Sequence, residues 1–176
     1  MEKQNTGNIF LRLHAMLYKR LLVTGADGML GQELSSYFKQ YYDVYPFGKK
    51  VLDITDRSKI KKIFSAVAPD LIINCAAFTD VEACEKNTEL AYEINAKGTF
   101  YLADESEKNN AAIVHISTDY VYNGHRRQPY SEDDACAPLN IYGQSKLKGE
   151  RLVARTNDRH YIIRTAWLYG KNGDNF

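Results

Sequence analysis

The sequence has few cysteines, and they are not spaced for a metal or redox motif. Its 3 cysteines, Cys75, Cys84 and Cys136, are an odd number and form no Cys-x-x-Cys pair. That pattern fits neither a disulfide scaffold nor a zinc site, so we expect no bound metal. It favours a protein of the reducing cytoplasm, where thiols stay free.

The sequence also lacks an excess of charge of one sign and a long apolar run. Its 23 basic residues are balanced by 22 acidic ones, which argues against a bulk electrostatic role on nucleic acid or on a membrane surface. No apolar run approaches the roughly 18 residues of a membrane span. We therefore expect neither nucleic acid nor a membrane as a partner. Residues 1–19 are interpreted as a leader or an added extension, and residues 20–176 as one domain.

From residue 20 onward, short apolar runs alternate with segments of helical periodicity. The predicted strands are RLLVTG, DVYPF, DLIINCAA, AAIVHIS and HYIIRTAWL, and the predicted helices are MLGQELSSYFKQYY, TDRSKIKKIFSAVA, TELAYEINAKGTFYLADESEKN and YGQSKLKGERLVAR. Strands that alternate with helices imply βαβ units. We therefore predict an α/β fold, a Rossmann-like doubly wound parallel sheet with helices on both faces.

A glycine-rich turn, TGADGMLGQ, lies between the first predicted strand and the first helix. Gly25 permits a tight turn, Gly28 lets the backbone approach a pyrophosphate, and Gly31 lets the helix pack close to the sheet. The N–H groups and the dipole at the helix start would favour the phosphates. An ordinary glycine-rich turn is the alternative, but the position between strand and helix favours a dinucleotide site.

The end of the second predicted strand bears on the choice of dinucleotide. NAD-binding proteins of this fold usually place an acidic residue there for the ribose 2′-hydroxyl. This chain has no carboxylate in that segment and carries Lys49 and Lys50, which suit a 2′-phosphate. We therefore favour NADPH, with NADH as the alternative cofactor. Asp53 follows at the next strand's end and is assigned to the adenine side, with a turn or capping role as the alternative.

Two segments have the form Tyr-x-x-x-Lys, which on a helix can form a catalytic acid. YPFGK, at residues 45–49, contains proline and glycine at a strand end, so its tyrosine and lysine will not stack on a helical face. YGQSK, at residues 142–146, opens a helical pattern in which side chains four apart are neighbours. Only the second segment is therefore a candidate catalytic pair.

Four segments together resemble the extended short-chain dehydrogenase/reductase superfamily. They are VTGADGMLGQEL, NCAAFTDVEACEKNTELAYEINAKGT, HISTDYVYNG and PLNIYGQSKLKGE. Within the superfamily they are most similar to the dTDP-4-dehydrorhamnose reductase family, and RTAWLYGKNGDNF strengthens the likeness. The resemblance implies NADPH-dependent reduction of the 4-keto group of dTDP-4-dehydrorhamnose to dTDP-L-rhamnose.

The resemblance assigns catalytic roles to three residues. Tyr142 would be the general acid for the keto oxygen, and Thr118 would hydrogen-bond the same oxygen. Lys146 would lower the pKa of Tyr142 from its usual value of ~10 and hold the nicotinamide ribose. Asn95 matches an asparagine that supports the lysine through water, although a plain polar helix residue is a comparable interpretation. His115 is interpreted as a packed strand residue.

The resemblance also names binding residues. The candidate cofactor-binding residues are Gly25, Gly28, Met29, Leu30, Gly31, Lys49, Asp53, Ile54, Ala76, Ala77 and Thr79, with Tyr142 and Lys146. The candidate substrate-binding residues are Asp119, Tyr120 and Trp167, and core packing is the alternative for the tryptophan. We expect a dTDP-sugar as the substrate and a homodimer as the candidate assembly.

Family members continue beyond residue 176 into a small domain that completes the sugar-nucleotide pocket. We therefore expect most of the C-terminal substrate-binding domain to be missing here, and a piece of this length can be inactive. Two other functions stay open. One is a sugar-nucleotide epimerase or dehydratase of the same superfamily. The other is a non-catalytic cofactor-binding subunit, like the regulatory subunit of methionine adenosyltransferase.

Overall fold

The computed structural model describes residues 19–173, and they form one α/β unit. The strands are β1 Arg20–Thr24, β2 Asp43–Phe47, β3 Leu71–Asn74, β4 Ala112–Thr118 and β5 His160–Thr165. The α-helices are α1 Met29–Phe38, α2 Arg57–Val67, α3 Val81–Lys86, α4 Thr88–Tyr92, α5 Thr99–Lys108 and α6 Ile141–Thr156. A π-helical turn, Glu93–Gly98, joins α4 to α5, and a 3₁₀ turn, Asp119–Val121, follows β4.

The strands form a parallel sheet in the order β2-β1-β3-β4-β5. From β1 the chain first moves outward to β2 and then returns to the other side of β1 as β3. Strand order therefore reverses between β1 and β3. In open parallel sheets, ligands bind beyond the carboxyl ends of the strands at such a reversal. The fold thus directs attention to the ends of β1, β3 and β4.

Side chains alternate between the two faces of the sheet, as strand geometry requires. On one face Leu22, Ile72 and Ile113 pack with a cluster supplied by α2, α5 and α6, which includes Phe64 and Leu102. Burying each such side chain contributes about 1.5–3 kcal/mol. That face of the sheet therefore holds the larger core.

The other face of the sheet has its own apolar cluster. Leu21, Val23 and Ile73 are buried there against Leu34 and Phe38 of α1. The predicted parallel sheet with helices on both faces is therefore confirmed. None of the helices in residues 19–173 combines the length with the apolar composition that crossing a bilayer requires.

Side-chain caps fix the starts of α2 and α6. Asp56 caps α2 by accepting hydrogen bonds from the backbone N–H groups of Ser58 and Lys59. Asn140 caps α6 by accepting from the Gly143 N–H at 2.7 Å. Such caps each contribute about 1 kcal/mol. The second cap matters for the site, because it sets where α6 begins.

The structure differs from the sequence prediction in three places. The segment before the long predicted helix forms the short helix α3, capped by Asp80. The long helix itself is interrupted by the π-helical turn. The fifth strand ends at Thr165 rather than running to residue 168, and Trp167 has a positive φ of 51°. The predicted leader lies outside the described residues apart from Lys19, which donates its backbone N–H to Asp70.

Candidate active site

The glycine turn after β1 is closely packed. Gly25 has a φ of +62°, and a Cβ there would lie 2.7 Å from the backbone nitrogen of Ala76. A Cβ at Gly31 would lie 2.2 Å from the Gly25 oxygen. Gly28 precedes α1, and no side chain caps that helix start. The turn therefore brings backbone N–H groups to the reversal point, where an anion can approach them.

Two neighbouring cavities lie at the carboxyl ends of the strands and share Gly25, Gly28, Cys75 and Ala77. The first, here the α6 cavity, has a volume of about 540 Å³, and the second, the Lys49 cavity, about 270 Å³. The α6 cavity is lined by Met29, Leu30, Gly31, Thr79, Thr118, Asp119, Tyr120, Tyr142, Lys146 and Trp167, among others. The Lys49 cavity is lined by Lys49, Asp53, Ile54 and Ala76, among others. All the predicted cofactor, catalytic and substrate residues thus line these two adjoining cavities, although their roles stay predictions.

A carboxylate from another segment of the chain lies beside the end of β2. Asp27, in the glycine turn, accepts a hydrogen bond from the Lys49 N–H at 3.1 Å. A Cβ at Gly48 would lie 2.8 Å from the Asp27 carboxyl group. Both Asp27 and Lys49 line the Lys49 cavity. This acid is not apparent from the sequence, because Asp27 precedes β2 by a whole helix and reaches the end of the strand only through the fold.

Asp53 lines the same cavity but already has local partners. Its Oδ1 accepts from the N–H of Thr55 at 2.9 Å and from the Thr55 hydroxyl at 2.8 Å. These hydrogen bonds, helped by the charge of Lys49, lower the pKa of Asp53 against its partial burial. Asp53 therefore stabilises a turn, and its carboxylate stays ionised at neutral pH beside the cavity.

Tyr142 lies in the first turn of α6, where the Asn140 cap places it. The sequence predicted that Lys146 lowers the pKa of Tyr142. That prediction is wrong for this structure, because burial raises the pKa of Tyr142. A hydrogen bond with Thr118 opposes this effect, and the charge of Asp119 adds to it. The phenol therefore stays protonated at neutral pH, as a proton donor must.

Thr118 ends β4 at the mouth of the α6 cavity. Its hydroxyl oxygen accepts the N–H of Tyr120 at 3.2 Å and lies 3.2 Å from an Asp119 carboxyl oxygen. The ring of Tyr120 in turn meets Tyr142 edge to face, with centroids 5.7 Å apart. The 3₁₀ turn thus holds Thr118 and Tyr142 together on one side of the cavity.

Lys146 lies one helical turn after Tyr142, and its side chain is almost wholly buried. Its Nζ donates a hydrogen bond of 2.6 Å to the backbone oxygen of Ile116. Burial lowers the pKa of Lys146 to about 8, although the charges of Glu150 and Cys75 act in the opposite direction. The amine also lies 3.5 Å from Nε2 of His115, a contact that sequence analysis did not foresee.

Asn95 lies in the π-helical turn and is buried. Its amide exchanges two hydrogen bonds with the Phe78 backbone, at 2.8 and 3.0 Å, and donates to the Ser145 hydroxyl at 3.0 Å. A Cβ at Gly149 would lie 2.3 Å from the backbone oxygen of Asn95, so α6 packs directly on this turn. Asn95 therefore joins the loop after β3 to α6 through Ser145, the residue before Lys146.

Trp167 is 77% exposed, which excludes core packing as its role. It lines the α6 cavity together with Asp119 and Tyr120.

The strand before Trp167 is joined to α6 by an ion pair. Arg164 of β5 forms two hydrogen bonds with the buried Glu150 of α6, at 3.0 and 2.7 Å. This ion pair joins β5 to α6 just before the segment that carries Trp167.

The sequence model of the RmlD substrate binding domain family matches residues 19–176. The spore coat polysaccharide biosynthesis protein SpsK of Bacillus subtilis (strain 168) is 48% identical over 158 residues, which are 89% of this chain and 56% of that protein. A dTDP-4-dehydrorhamnose reductase of Aggregatibacter actinomycetemcomitans is 40% identical, over 89% of this chain and 54% of its own length.

The solved structures include a similar fold with a cofactor. The dTDP-4-dehydrorhamnose reductase of Bacillus anthracis str. Ames, in complex with NADP, superimposes with a TM-score of 0.87 at 46% identity. That match covers 89% of this chain and 56% of the other. The chain therefore spans little more than half the length of the relatives that it matches.

Proposed function

The chain belongs to the RmlD substrate binding domain family, and on that premise we propose that its protein is an NADPH-dependent reductase of a dTDP-linked 4-keto sugar. The favoured substrate is dTDP-4-dehydrorhamnose, because that is the substrate named for relatives of 36–41% identity. The family resemblance expected from the four sequence segments is confirmed. The activity is proposed for the whole protein, since the relatives extend well beyond the length matched here.

One observation carries the proposal. Tyr142, Thr118 and Lys146 line the same cavity as the glycine turn. A proton donor and a nucleotide-binding turn are thus placed around one space, which a hydride-transfer reductase needs. Neither a glycine turn nor a tyrosine alone would support this reaction.

The residues of the cavity fit a bound dinucleotide. Side chains at Gly25 and Gly31 would collide with backbone atoms, so the turn keeps the close approach that a pyrophosphate requires. The start of α1 would favour the phosphate charges, and Lys146 would hold the nicotinamide ribose. NADPH, when bound, supplies the hydride, and every other contribution comes from side chains of this chain.

The proton for the keto oxygen would come from Tyr142. Its raised pKa keeps the phenol protonated at neutral pH, so it can donate to an oxygen that gains negative charge. Thr118 would add a second hydrogen bond to the same oxygen and stabilise the charge as it develops. The exposed Trp167, with Asp119 and Tyr120, would contact the sugar at the open side of the cavity.

Two charged residues of the Lys49 cavity have opposite effects on the choice between NADPH and NADH. Lys49 lines that cavity and suits a 2′-phosphate, and the Bacillus anthracis relative is in complex with NADP. Asp27 acts against this preference, because its carboxylate lies beside Lys49 and suits a ribose hydroxyl. We infer that NADPH binds more tightly but that NADH remains usable.

Two further inferences concern the setting of the protein. The three cysteines are all free thiols, which agrees with a cytoplasmic protein. A homodimer is the assembly to test, by light scattering of the purified protein.

The test of the proposed function is an assay of the native full-length protein. NADPH absorbance should fall only when a dTDP-4-keto sugar is added, with one reduced sugar formed for each NADPH consumed. An epimerase or dehydratase would convert the sugar without net loss of NADPH, and a regulatory subunit would convert nothing. Either result would contradict the proposal.

A further inference from the structure

Three neighbouring strands carry polar side chains that are buried side by side. Thr24 of β1 is paired in register with Asn74 of β3, and Asn74 with His115 of β4. Their exposed fractions are 0%, 1% and 0%. Buried polar groups need partners, so their hydrogen bonds determine how each is oriented.

The orientation of the Asn74 amide is fixed from one side. Its Oδ1 accepts the hydroxyl hydrogen of Thr24 at 2.7 Å and the backbone N–H of Ala76 at 3.2 Å. A backbone N–H can only donate, so this atom of the amide must be the oxygen. The amide nitrogen therefore faces Nδ1 of His115, at 3.2 Å, and the hydroxyl of Thr99, at 3.3 Å.

The orientation of Asn74 determines the tautomer of His115. An amide nitrogen donates, so Nδ1 of the imidazole accepts and carries no proton. Burial, together with the charge of Lys146, lowers the pKa of His115 well below its ordinary value, so the ring is neutral. The one proton of the neutral ring is then on Nε2, the atom 3.5 Å from Nζ of Lys146.

Lys146 therefore faces an acceptor and a donor at once. Its amine donates to the Ile116 oxygen at 2.6 Å, and the Nε2–H of His115 points at it from the neighbouring position on the same strand. A charged ammonium has only donors, whereas a neutral amine has a lone pair that can accept from Nε2–H. Among titratable neighbours, Cys75 and Glu150 act on the same amine, and both favour its charged form.

We propose that His115 is a positioning residue for Lys146, held by Thr24 and Asn74 as the Nε2–H tautomer so that it fixes the amine beside Ile116 and favours its uncharged form. The consequence for turnover rests on the proposed function. An amine that gains and loses a proton near neutral pH, one turn from the proton donor Tyr142, is suited to take part in restoring the proton of that tyrosine.

The first test measures the tautomer of His115 in the native protein and uses a variant only to assign its signal. The tautomer of each of the 4 histidines can be read from two-bond ¹H–¹⁵N couplings in ¹⁵N-labelled protein, with a His115→Gln sample to assign the signal of His115. We expect His115 to be neutral, with its proton on Nε2, throughout the range from about pH 6 to about pH 9. This range begins near the ordinary pKa of histidine and extends above it. A proton on Nδ1, or an imidazolium, would overturn the proposal.

The second test follows the titration of Lys146 by NMR of ¹³C-labelled lysine, assigned with Lys146→Arg. His115→Phe keeps the ring volume but removes the N–H, and we expect it to raise the midpoint of Lys146 by about one pH unit. His115→Gln offers an amide N–H in place of Nε2–H and should bring the midpoint back toward the native value. An unchanged midpoint in His115→Phe would show that burial alone sets the charge of Lys146.

These NMR results do not depend on turnover, so they separate this inference from the proposed function. If the protein reduces the keto sugar, the pH profile of kcat in His115→Phe should move with the midpoint of Lys146. A merely structural role for His115 would lower kcat equally at all pH values and would contradict the proposal. Absence of reductase activity together with the expected tautomer and midpoint would contradict the proposed function alone.

Discussion

Tyr142 and Thr118 line the same cavity where the start of α6 meets the end of β4, and Thr118 lowers the pKa that burial of the tyrosine raises. One residue comes from the turn that Asn140 caps, and the other from the strand end that opens the 3₁₀ turn. Because two different elements meet here, the pair depends on the fold and not on local sequence. The relationship places Tyr142, the proposed proton donor, and Thr118 on one side of the α6 cavity.

Replacing Thr118 with valine should slow reduction by about 100-fold, because a donor to the developing oxyanion is lost. The substitution should also raise the pKa of Tyr142 further, since the hydrogen bond with Thr118 lowers it. The decline of kcat at high pH, where the phenol loses its proton, should therefore move to higher pH. A pH–rate profile of both proteins measures this, and a decline that moves to lower pH would contradict the assignment.

Gly31→Ala should destabilise the protein and weaken NADPH binding. Its new Cβ would lie 2.2 Å from the Gly25 oxygen, and such overpacking typically costs about 1–3 kcal/mol. Gly28→Ala is the matched comparison for stability, because its Cβ would lie 3.3 Å from the same oxygen. Urea unfolding of both variants tests the difference. Equal stability would show that α1 can shift away from the turn.

The pair of Asp27 and Lys49 should control the ratio of the affinities for NADPH and NADH. Lys49→Ala should weaken NADPH binding by about tenfold, or ~1.4 kcal/mol, and leave NADH binding nearly unchanged. Asp27→Asn should act in the opposite direction by removing a negative charge beside the same position. Fluorescence titration with both nucleotides measures the ratio.

Lys50→Ala is the control for this pair, since Lys50 is the neighbouring lysine and is exposed. It should leave the ratio close to that of the native protein. A larger effect of Lys50→Ala than of Lys49→Ala would place the 2′-phosphate elsewhere.

The ion pair of Arg164 and Glu150 should matter for stability. Glu150 is 3% exposed, so Arg164→Leu would leave a buried carboxylate without its partner, at a cost of about 3–5 kcal/mol. The exposed pair of Lys97 and Glu93 is the comparison, and Lys97→Leu should change stability little. Urea unfolding at neutral pH measures both, and similar effects would contradict the special role of the buried pair.

Much of the fold could be predicted from the sequence because its local signals agree. Apolar runs, helical periodicity and the glycine turn all indicate a parallel α/β sheet, and each predicted strand is present. The short helix α3 escaped prediction because it has only six residues, too few for a periodic apolar pattern. The π-helical turn escaped because π-helical turns depend on packing, here of Asn95 against the loop after β3 and α6.

Candidate site residues could be named from the sequence when they belong to one short motif. They could not be named when only the fold brings them together. Tyr142 and Lys146 are four residues apart on one helix, so their spacing is visible in the sequence. The carboxylate of Asp27 reaches the end of β2 from another loop. The direction of the pKa shift of Tyr142 was also predicted wrongly, because burial, which raises this pKa, is a property of the folded chain.

The chain of Thr24, Asn74 and His115 shows the same limit. Each residue lies in an apolar strand, and the sequence interpretation of His115 as a packed strand residue named neither Thr24 nor Asn74 as its neighbour. Their contacts depend on the register of three strands that are distant in sequence. A signal was nevertheless present, because polar residues within buried strands require partners.

The most direct measurement of the central claim compares the native full-length protein with Tyr142→Phe in two assays. One follows NADPH oxidation with dTDP-4-dehydrorhamnose, and the other measures NADPH affinity by fluorescence. We expect the variant to lose turnover by at least about 100-fold, within the range for general acid catalysis, and to bind NADPH nearly as tightly as the native protein. Full turnover in Tyr142→Phe would contradict the account.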